Sequence, residues 1–527
     1  MSTPRRYNAA HDLIESNLLA DRGANVAFID DAGSYTYSEL EERVNRFGSA
    51  LLALGLEPEQ RLLLCVHDTI DFPTAFLGSI KAGIVPIAVN TLLTTADYRY
   101  MIADARPRVL VVAAELLDTF APILAERPPH LDHVIVSQGP DRGHHRFSAL
   151  LEHGNTSLDP APTTPDDMCF WLYSSGSTGA PKGTVHVHSS LVQTAELYAG
   201  PTLGLTTADV SFSAAKLFFA YGLGNGLTFP MWSGGTSVLM ASRPTPASVF
   251  ARLKAHQATV FYGVPTLYAS MLAVPDLPPA DALSLRRCVS AGEALPEEIG
   301  KRWSRHFGVD ILDGIGSTEM LHIFVTNRAG EVRYGTTGKP VHGYEMRIVG
   351  DDGEPVAPGV VGDLRVKGPT SALLYWNQRA RSRSTFQGEW THTGDKYAVD
   401  EDGYYTYSGR SDDMLKVSGM YVSPIEVESA LFAHAAILEC AVVGKEDDDK
   451  LIKPIAFVVL REGFEPSDDL RAELKLHVKS RLAPFKYPRW FEFVSDLPKT
   501  ATGKIQRFKL RETTSATGER IPVGTTE

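Results

Sequence analysis

The segment Phe170–Gly183, FWLYSSGSTGAPKG, holds the densest group of residues that could do chemistry. An apolar strand leads into a run of serine, threonine and glycine, which is followed by Pro181, Lys182 and Gly183. Glycines let backbone N–H groups approach an anion closely, hydroxyls add hydrogen-bond donors, and a lysine adds positive charge. The segment therefore predicts a polyphosphate site. The alternative is a flexible Ser/Gly linker, but linkers rarely separate a buried strand from an ordered Pro-Lys-Gly.

The same loop does not satisfy the Walker A pattern G-x-x-x-x-G-K-[ST], because Pro181 stands where a glycine must precede the lysine. A P-loop NTPase that couples hydrolysis to motion is therefore disfavoured. Such an enzyme would release ADP and phosphate, so the products that it forms from ATP would identify it.

Segments on either side of this loop alternate between strand-like and helix-like patterns, which is typical of layered α/β sheets. Strands are predicted at 61–67, 84–89, 108–113, 133–137, 258–264 and 285–289, and helices at 72–83, 247–256 and 296–307. After about Tyr334, short strands at 344–349, 363–367 and 404–408 alternate with turns such as DDG, EPVAPG and EDG. This second pattern predicts an antiparallel β module that completes a large N-terminal domain.

Another change of pattern begins at 409–413, and we place a domain boundary at Asp412. Beyond it, a helix is predicted at 423–432, and the segments 441–443, 454–460, 468–481 and 490–494 complete a compact α+β set. A segment of about 115 residues is long enough for an independent core. The predicted fold class is α/β, with a large N-terminal domain over 1–411 and a small α+β domain over 412–527.

Composition narrows the classes of partner. The 527 residues are 43% apolar and 22% charged, as in soluble globular proteins, and the formal net charge is −12. A net negative chain lacks the excess lysine and arginine of a non-specific nucleic-acid binder. Cys65, Cys169, Cys288 and Cys440 are scattered without a C-x-x-C spacing, which indicates neither a disulfide framework nor a zinc site. With no signal peptide and no membrane-spanning apolar run, we expect a cytoplasmic protein without nucleic-acid or membrane partners.

Tyr173–Gly183 resembles the phosphate loop of the acyl-adenylate-forming superfamily, which includes acyl-CoA synthetases, adenylation domains of peptide synthetases and luciferases. Further motifs of that superfamily follow in order up to residue 504. They are a second nucleotide motif at Asp313–Glu319 (DGIGSTE), a ribose motif at Thr393–Asp395 (TGD), a hinge motif at Tyr407–Gly419 (YSGRSDDMLKVSG) and a C-terminal catalytic motif at Pro498–Lys504 (PKTATGK).

The resemblance implies an ATP site. Thr318 is expected to meet phosphate oxygens, Glu319 to bind Mg²⁺, and Asp395 with Arg410 to hold the ribose. Read alone, S-T-E is also a common helix-capping box, and T-G-D is an ordinary turn. Many members carry an aromatic residue where this chain has Ile315, so aliphatic contact replaces stacking on adenine. The full set of implied ATP-binding residues is Ser174, Ser175, Gly176, Ser177, Thr178, Gly179, Lys182, Gly292, Glu293, Asp313, Gly314, Ile315, Thr318, Asp395 and Arg410.

Lys504 is the residue to which the resemblance assigns catalysis, together with Thr318 and Glu319. Adenylation brings a carboxylate to the α-phosphate of ATP, so two anions must approach each other. A lysine that bridges their oxygens offsets the repulsion and stabilises the transition state. Acetylation of Lys504 by a lysine acetyltransferase would remove this charge and switch the enzyme off.

The second half-reaction implied by the resemblance is thiolysis of the acyl-adenylate by coenzyme A. The small domain is then mobile and swings about Asp412, and the segment after this hinge lines the pantetheine tunnel. The predicted tunnel residues are Lys416, Ser418, Gly419 and Tyr421. A plain β-turn is the alternative interpretation of the same residues.

Two segments are expected to wall the acyl pocket, Lys216–Gly226 (KLFFAYGLGNG) and Gly314–Phe324 (GIGSTEMLHIF), and both resemble those of benzoate–CoA ligases. Aromatic walls and glycines favour a planar ring over an alkyl chain. The alternative is that these aromatics are core and that the histidine is simply buried. The predicted pocket residues are Phe219, Ala220, Tyr221, Gly316, His322 and Ile323.

We therefore expect an ATP-, Mg²⁺- and CoA-dependent ligase for a small aromatic carboxylic acid, releasing AMP and pyrophosphate. A ligase for a hydroxybenzoate, an aminobenzoate or another ring carboxylate remains an alternative, as does an adenylation enzyme that loads a carrier protein. A catalytically silent acyl-nucleotide sensor is disfavoured because Lys504 and Glu319 are both present. A homodimer is a candidate assembly that the sequence does not decide.

Overall fold

The computed structural model describes residues 6–176, 179–410, 413–417, 420–447, 451–483, 486–499 and 505–515. Several predicted site residues lie outside this description, namely Ser177, Thr178, Asp412, Ser418, Gly419 and Lys504. For Ser175, Gly176, Gly179, Lys416 and Tyr421 the description covers the backbone alone.

The strands, in chain order, are β1 (Val26–Ile29), β2 (Ser34–Thr36), β3 (Arg61–Cys65), β4 (Val85–Ala88), β5 (Val109–Ala113), β6 (His133–Ser137), β7 (His145–Arg146), β8 (Met168–Gly176), β9 (Gly179–Val187), β10 (Val210–Ser213), β11 (Thr236–Val238), β12 (Val260–Gly263), β13 (Arg287–Ala291), β14 (Ile311–Gly316), β15 (Ile323–Thr326), β16 (Lys339–Pro340), β17 (Glu345–Val349), β18 (Gly362–Lys367), β19 (Leu374–Tyr375), β20 (Phe386–Gln387), β21 (Trp390–Val399), β22 (Tyr405–Arg410), β23 (Leu415–Val417), β24 (Met420–Val422), β25 (Ile437–Glu446), β26 (Ile452–Leu460) and β27 (Trp490–Phe493).

The α-helices are α1 (Ala9–Leu19), α2 (Tyr37–Ala53), α3 (Asp71–Lys81), α4 (Thr95–Ala105), α5 (Leu117–Ala125), α6 (Phe147–His153), α7 (His188–Thr194), α8 (Ala220–Leu223), α9 (Phe229–Ser233), α10 (Pro246–Ala255), α11 (Pro265–Leu272), α12 (Glu297–Phe307), α13 (Arg379–Thr385), α14 (Pro424–Phe432), α15 (Asp468–Lys479) and α16 (Arg507–Ser515). Of the helices in the described ranges, none is long and apolar enough to cross a membrane.

Two large sheets carry most of the chain before β17. One has eight strands in the order β19-β9-β8-β4-β3-β5-β6-β7, and the other has nine in the order β16-β15-β14-β13-β12-β10-β11-β1-β2. The inner pairs are parallel, such as β3 with β4 and β13 with β14, while β8–β9 and β14–β15 are antiparallel. The predicted layered α/β sheets are therefore confirmed, with element ends that differ from prediction by a few residues.

Close helix packing between the sheets depends on two glycines. α3 is buried along its whole length and crosses α2 where Gly48 meets Gly78. A Cβ on Gly48 would lie 2.7 Å from the Gly78 carbonyl oxygen, so a larger residue would push the helices apart. The surrounding core includes Phe28, Phe76 and Phe170, each fully buried.

The antiparallel module predicted after Tyr334 is confirmed as a five-stranded sheet, β17-β18-β21-β20 with β22 paired to β21. Its strand pairs are all antiparallel. The strands β17, β18 and β22 begin within one residue of the predicted starts.

The predicted loop after Phe170 differs from expectation, because strand structure continues into the serine-rich run. β8 and β9 form an antiparallel hairpin in which Ser174 lies opposite Lys182 and Gly176 opposite Gly179. Serine and glycine have low intrinsic strand preference, yet cross-strand pairing supplies the backbone hydrogen bonds here. Residues 174–176 and 179–182 are therefore paired strand ends of a hairpin.

The chain after 413 forms the expected α+β set, with β25-β26-β27 in one sheet and α14, α15 and α16 beside it. β25 spans Ile437–Glu446, longer than the predicted 441–443, because pairing with β26 extends it past its apolar centre. The domain boundary at Asp412 stays a prediction.

A buried ion pair ties α16 to α14 in this part of the chain. Glu428 is 5% exposed, and its carboxylate accepts hydrogen bonds from Arg507 Nη2 at 2.7 and 2.9 Å and from the Val442 backbone N–H at 2.7 Å. Removing one partner of such a pair leaves the other charge buried and uncompensated.

We expect Glu428→Ala to lower the free energy of unfolding by about 3 kcal/mol, because Arg507 then stays buried without a counter-charge. Urea denaturation followed by circular dichroism measures the loss. The double variant Glu428→Met with Arg507→Leu, which removes both charges, should recover most of it. An equal loss in the single and double variants would mean that packing, and not the uncompensated charge, sets the cost.

Candidate active site

Lys182 lies on β9 and contacts residues from two distant parts of the chain. Its Nζ is 3.1 Å from Oε1 of Glu319 and 3.2 Å from the hydroxyl oxygen of Tyr375. The Tyr375 hydroxyl donates to the same Oε1 at 2.7 Å, and the Lys182 ammonium lies 4.4 Å from the centre of the Tyr375 ring. The pairing of β19 with β9 holds Tyr375 in this position. Two predicted site residues are thus joined by a third that the sequence did not single out.

Glu319 is held in its ionised form by this cluster. Burial alone would raise the pKa of Glu319, but the positive charge of Lys182 and the hydrogen bond from Tyr375 outweigh it and lower the pKa. Burial raises the pKa of Tyr375, and the negative charge of Glu319 raises it further. The Tyr375 hydroxyl therefore stays protonated and donates a hydrogen bond to Glu319. The result is a partly buried carboxylate with one oxygen, Oε1, that accepts both hydrogen bonds.

Thr318 and Glu319 lie in a tight turn after β14. The Thr318 carbonyl accepts a hydrogen bond from the Leu321 N–H at 3.2 Å, and the Glu319 carbonyl accepts one from the Ala372 N–H at 2.7 Å. Leu321 has φ 66°, a left-handed conformation that is rare for a bulky residue. The surrounding contacts must therefore fix this turn.

The hairpin end is formed by β8 together with β9, the strand that carries Lys182. The hydroxyl of Ser174 is buried and has no hydrogen-bond partner among the described residues. The backbones of Ser175, Gly176 and Gly179 continue this end, where Gly176 pairs with Gly179. A buried hydroxyl and closely approachable glycine backbone suit an anion.

The predicted adenine residues lie together at one sheet edge. β13 and β14 are parallel neighbours, so Gly292 and Glu293, which follow β13, lie beside Asp313, Gly314 and Ile315 of β14. Ligands of open α/β sheets bind at the carboxyl ends of the strands, which is where these residues lie. Ile315 is partly buried against the hydrophobic cluster next to β14. This position is consistent with the aliphatic contact to adenine that the sequence predicts.

Asp313 carries the largest electrostatic cost of this edge. It is 6% exposed, and burial raises its pKa to about 8. Its Oδ1 has no hydrogen-bond partner among the described residues. At pH 7 the protonated acid is therefore the favoured form.

The predicted ribose pair is assembled by a strand pair of the five-stranded sheet. Asp395 on β21 lies directly opposite Arg410 on β22, and Arg410 Nη1 is 3.2 Å from Oδ1 of Asp395. The same Nη1 donates to the Thr393 carbonyl at 3.1 Å. Gly394 has φ 74°, and a side chain there would lie 2.8 Å from the guanidinium of Arg410. The T-G-D segment thus brings the carboxylate and the guanidinium together.

Tyr221 and His322 face each other in the predicted acyl wall, with ring centres 5.6 Å apart. The Tyr221 hydroxyl bonds the carbonyls of Gly263 and Val289, both at 3.2 Å. His322 is 3% exposed, and its Nε2 is 3.1 Å from Oδ1 of Asn225. Burial lowers the pKa of His322 to about 3, so the ring is neutral at pH 7.

The other predicted wall residues take differing positions. Phe219 packs on Phe218 just before α8, which begins at Ala220. Ile323 is 1% exposed and belongs to the hydrophobic core, and Gly316 leaves no room for a side chain, since a Cβ there would lie 2.5 Å from the His322 carbonyl oxygen.

Sequence reasoning missed two polar residues of the site, Tyr375 and Asn225. Asn225 is fully buried in the glycine-rich run GLGNG, and a polar residue inside an apolar run was the available signal. Tyr375 had no local signal, because its role comes from contacts with residues far away in the chain.

The remaining predicted residues are in the C-terminal part. Lys416 and Tyr421 lie opposite each other in the β23–β24 hairpin. Lys504, Asp412, Ser418 and Gly419 lie outside the described residues. The described residues contain no group of three or more histidine, cysteine, aspartate or glutamate side chains that could hold a metal ion.

Family models match both parts of the chain. The model described as "AMP-binding enzyme" matches residues 17–376, and the model described as "AMP-binding enzyme C-terminal domain" matches residues 426–504. The second match includes position 504.

Relatives and solved structures agree with these matches. The chain is 65% identical over 510 residues to the benzoate–CoA ligase of Thauera aromatica, covering 96% of each protein. Its structure is similar to a benzoate CoA ligase from Burkholderia xenovorans LB400 with a TM-score of 0.90 and 55% identity, covering 96% of this chain and 100% of that one. It is also similar to an anthranilate CoA ligase in complex with anthranoyl-AMP, with a TM-score of 0.93 and 42% identity, covering 97% and 98% of the two chains.

We expect Asp313→Asn to change how stability depends on pH. The pKa of Asp313 is raised from 3.8 to about 8 on folding. Its contribution to the free energy of unfolding is therefore fully present below about pH 3.8 and is lost as the pH rises toward 8. The amide of asparagine does not titrate. Stability of the variant relative to wild type should therefore grow with pH by about 1.4 kcal/mol per unit across this window.

Urea denaturation of both proteins between about pH 5 and about pH 8 measures this difference, and all other titrating groups cancel in it. A difference that stays constant with pH would show that Asp313 is ionised throughout.

Proposed function

The chain belongs to the AMP-binding enzyme family, and from this premise we propose that it is an AMP-forming ligase that joins benzoate to coenzyme A. In the first step the carboxylate attacks the α-phosphate of ATP, giving benzoyl-AMP and pyrophosphate. In the second step the thiol of coenzyme A displaces AMP. The observation that carries the proposal is the near full-length likeness to the benzoate–CoA ligase of Thauera aromatica.

The cluster around Lys182 supports a role in binding the triphosphate. Glu319 is a partly buried, ionised carboxylate, and Mg²⁺ binds proteins through one or two carboxylates together with substrate phosphates. We therefore propose that Glu319 binds the magnesium ion that accompanies ATP. When bound, this ion would offset the negative charge of the phosphates. Lys182 adds a second positive charge next to the hairpin end, and Tyr375 keeps the Glu319 carboxylate oriented.

The sheet edges support the remaining nucleotide contacts. Thr318 and the Ser174 hydroxyl are proposed to bind phosphate oxygens, with Ser175 to Gly179 supplying backbone N–H groups. Asp395 is proposed to accept hydrogen bonds from the ribose hydroxyls, and Arg410 holds its carboxylate in place. Adenine is proposed to lie between 292–293 and 313–315, where β13 and β14 end.

The acyl wall supports a neutral aromatic ring. His322 is uncharged and Tyr221 keeps its proton, so neither presents a charge to the substrate. Aromatic side chains favour edge contacts with a planar ring. We propose that Phe219, Ala220, Tyr221 and His322 enclose the ring of the acid.

An aminobenzoate or a hydroxybenzoate is the second candidate substrate. The polar pair formed by His322 and Asn225 could accept a ring substituent that forms hydrogen bonds, and the anthranilate CoA ligase has a similar fold throughout. An apolar pocket discriminates against an added hydroxyl by only about a hundredfold.

Lys504 is proposed to bridge the carboxylate and the α-phosphate during adenylation, since the C-terminal family model includes its position. Asp412 lies between the two matched ranges, which supports a hinge there and domains over 1–411 and 412–527. Lys416, Ser418, Gly419 and Tyr421 are proposed to line the tunnel for coenzyme A. Control by acetylation of Lys504 and assembly as a homodimer stay predictions.

A panel of carboxylic acids tests the function. With ATP, Mg²⁺ and coenzyme A, we expect AMP release to be fastest with benzoate, measured as kcat/KM, and at least about tenfold slower with a long-chain alkyl acid. A higher kcat/KM for an aminobenzoate or hydroxybenzoate would identify the second candidate. Benzoate-dependent pyrophosphate exchange without consumption of free coenzyme A would instead indicate an enzyme that loads a carrier protein.

We expect Lys504→Ala to lower the rate of benzoyl-AMP formation at least about a hundredfold, because the charge between the two anions is lost. Formation of benzoyl-CoA from supplied benzoyl-AMP should continue at a near-normal rate. Lys509→Ala, which removes an exposed lysine of α16, is the matched control. Near-normal benzoyl-AMP formation by Lys504→Ala would contradict the assignment.

A further inference from the structure

One face of β9 makes two separate contacts with the turn that carries Thr318 and Glu319. Successive side chains of a strand point to opposite faces, so Lys182 and His186, four residues apart, share a face. Lys182 contacts the carboxylate of Glu319, and His186 contacts the carbonyl of Thr318. The same strand therefore holds both the side chain and the backbone of this turn.

The His186 contact has a defined donor. Its Nε2 lies 2.8 Å from the Thr318 carbonyl oxygen, which can only accept, so Nε2 carries the hydrogen. The ring is fully buried and stacks on Phe170 with ring centres 5.3 Å apart and planes at 17°. Among the described residues, Nδ1 has no hydrogen-bond partner. Among the described residues, the hydrogen bond to the Thr318 carbonyl is thus the one that orients the ring.

The turn is one that requires such support. Leu321 has φ 66°, and conformations of this kind persist only where the surrounding structure fixes them. The Thr318 carbonyl accepts from both the Leu321 N–H and His186, so this oxygen joins the strained turn to β9. Burial lowers the pKa of His186 to about 4, so the ring is neutral at pH 7. It therefore supports the turn without adding a positive charge that would interact with the Glu319 carboxylate.

We propose that His186 is a positioning residue for the nucleotide, acting through the Thr318 carbonyl to place the Thr318 hydroxyl and the Glu319 carboxylate beside Lys182. The proposal rests on the proposed function, since it takes that site to bind MgATP. His186 does not touch the reacting atoms in this scheme, and its loss should weaken MgATP binding more than binding of the acid.

Two substitutions separate the hydrogen bond from the packing of the ring. His186→Phe keeps a ring that can stack on Phe170 but removes the donor. His186→Gln loses the ring but places an amide donor near the position of Nε2. The control is His188→Phe, because His188 is also buried but bonds the Ala9 N–H at 3.1 Å, in α1.

Calorimetric titration with MgATP, without acid, gives the Kd of each variant, and thermal unfolding reports their stability. We expect His186→Phe to raise the Kd for MgATP about tenfold, His186→Gln to stay within about threefold of wild type, and His188→Phe to lose stability with an unchanged Kd. In steady-state assays, the KM for benzoate should change less than about twofold in His186→Phe.

A wild-type Kd in His186→Phe would overturn the proposal, as would an equal loss in His186→Gln or in His188→Phe. Wild-type protein that binds MgATP but shows no acid-dependent pyrophosphate exchange would contradict the proposed function alone, and the Kd series would still decide the role of His186. Wild-type protein that does not bind MgATP would contradict both.

Discussion

The ion pair between Lys182 and Glu319 is the contact on which the site depends. Burying a carboxylate is costly unless a positive charge and hydrogen bonds compensate it, and Lys182 and Tyr375 supply both. These residues are 137 and 56 positions from Glu319 in the sequence. Only a folded scaffold can hold them within about 3 Å of one oxygen, and this requirement explains why each of them sits on or beside a strand.

Each of three sheets contributes a different part of the site. The eight-stranded sheet supplies β9 and β19 with Lys182 and Tyr375, and the nine-stranded sheet supplies β14 with the turn after it. The five-stranded sheet adds the Asp395–Arg410 pair through β21 and β22. Backbone bonds such as that from the Ala372 N–H to the Glu319 carbonyl join these sheets at the site. A ligand at this junction therefore contacts rigid elements, which keeps the proposed phosphate and ribose contacts in register.

The local residue pattern predicted the fold well where a continuous apolar run forms a buried strand. Strand β6, for example, has the predicted bounds 133–137. The pattern failed at the hairpin end, because serine and glycine carry no strand signal and only the partner strand supplies the pairing. The motif positions Lys182, Glu319, Asp395 and Arg410 are brought into contact in two pairs, Lys182 with Glu319 and Arg410 with Asp395. Tyr375 and His186 were missed, since each acts through a long-range contact that leaves no trace in neighbouring residues. Asn225 was also missed, although a polar residue inside an apolar run was a local signal.

The two halves of the site differ in how they carry buried polar groups. On the proposed nucleotide side, the partly buried Lys182 and Glu319 form an ion pair, and the exposed Arg410 pairs with Asp395. On the acyl side, His322, Tyr221 and Asn225 are polar but uncharged, so burying them costs far less than burying an ion. The proposed binding of an apolar ring beside a triphosphate requires this division, because each ligand needs surroundings of its own polarity.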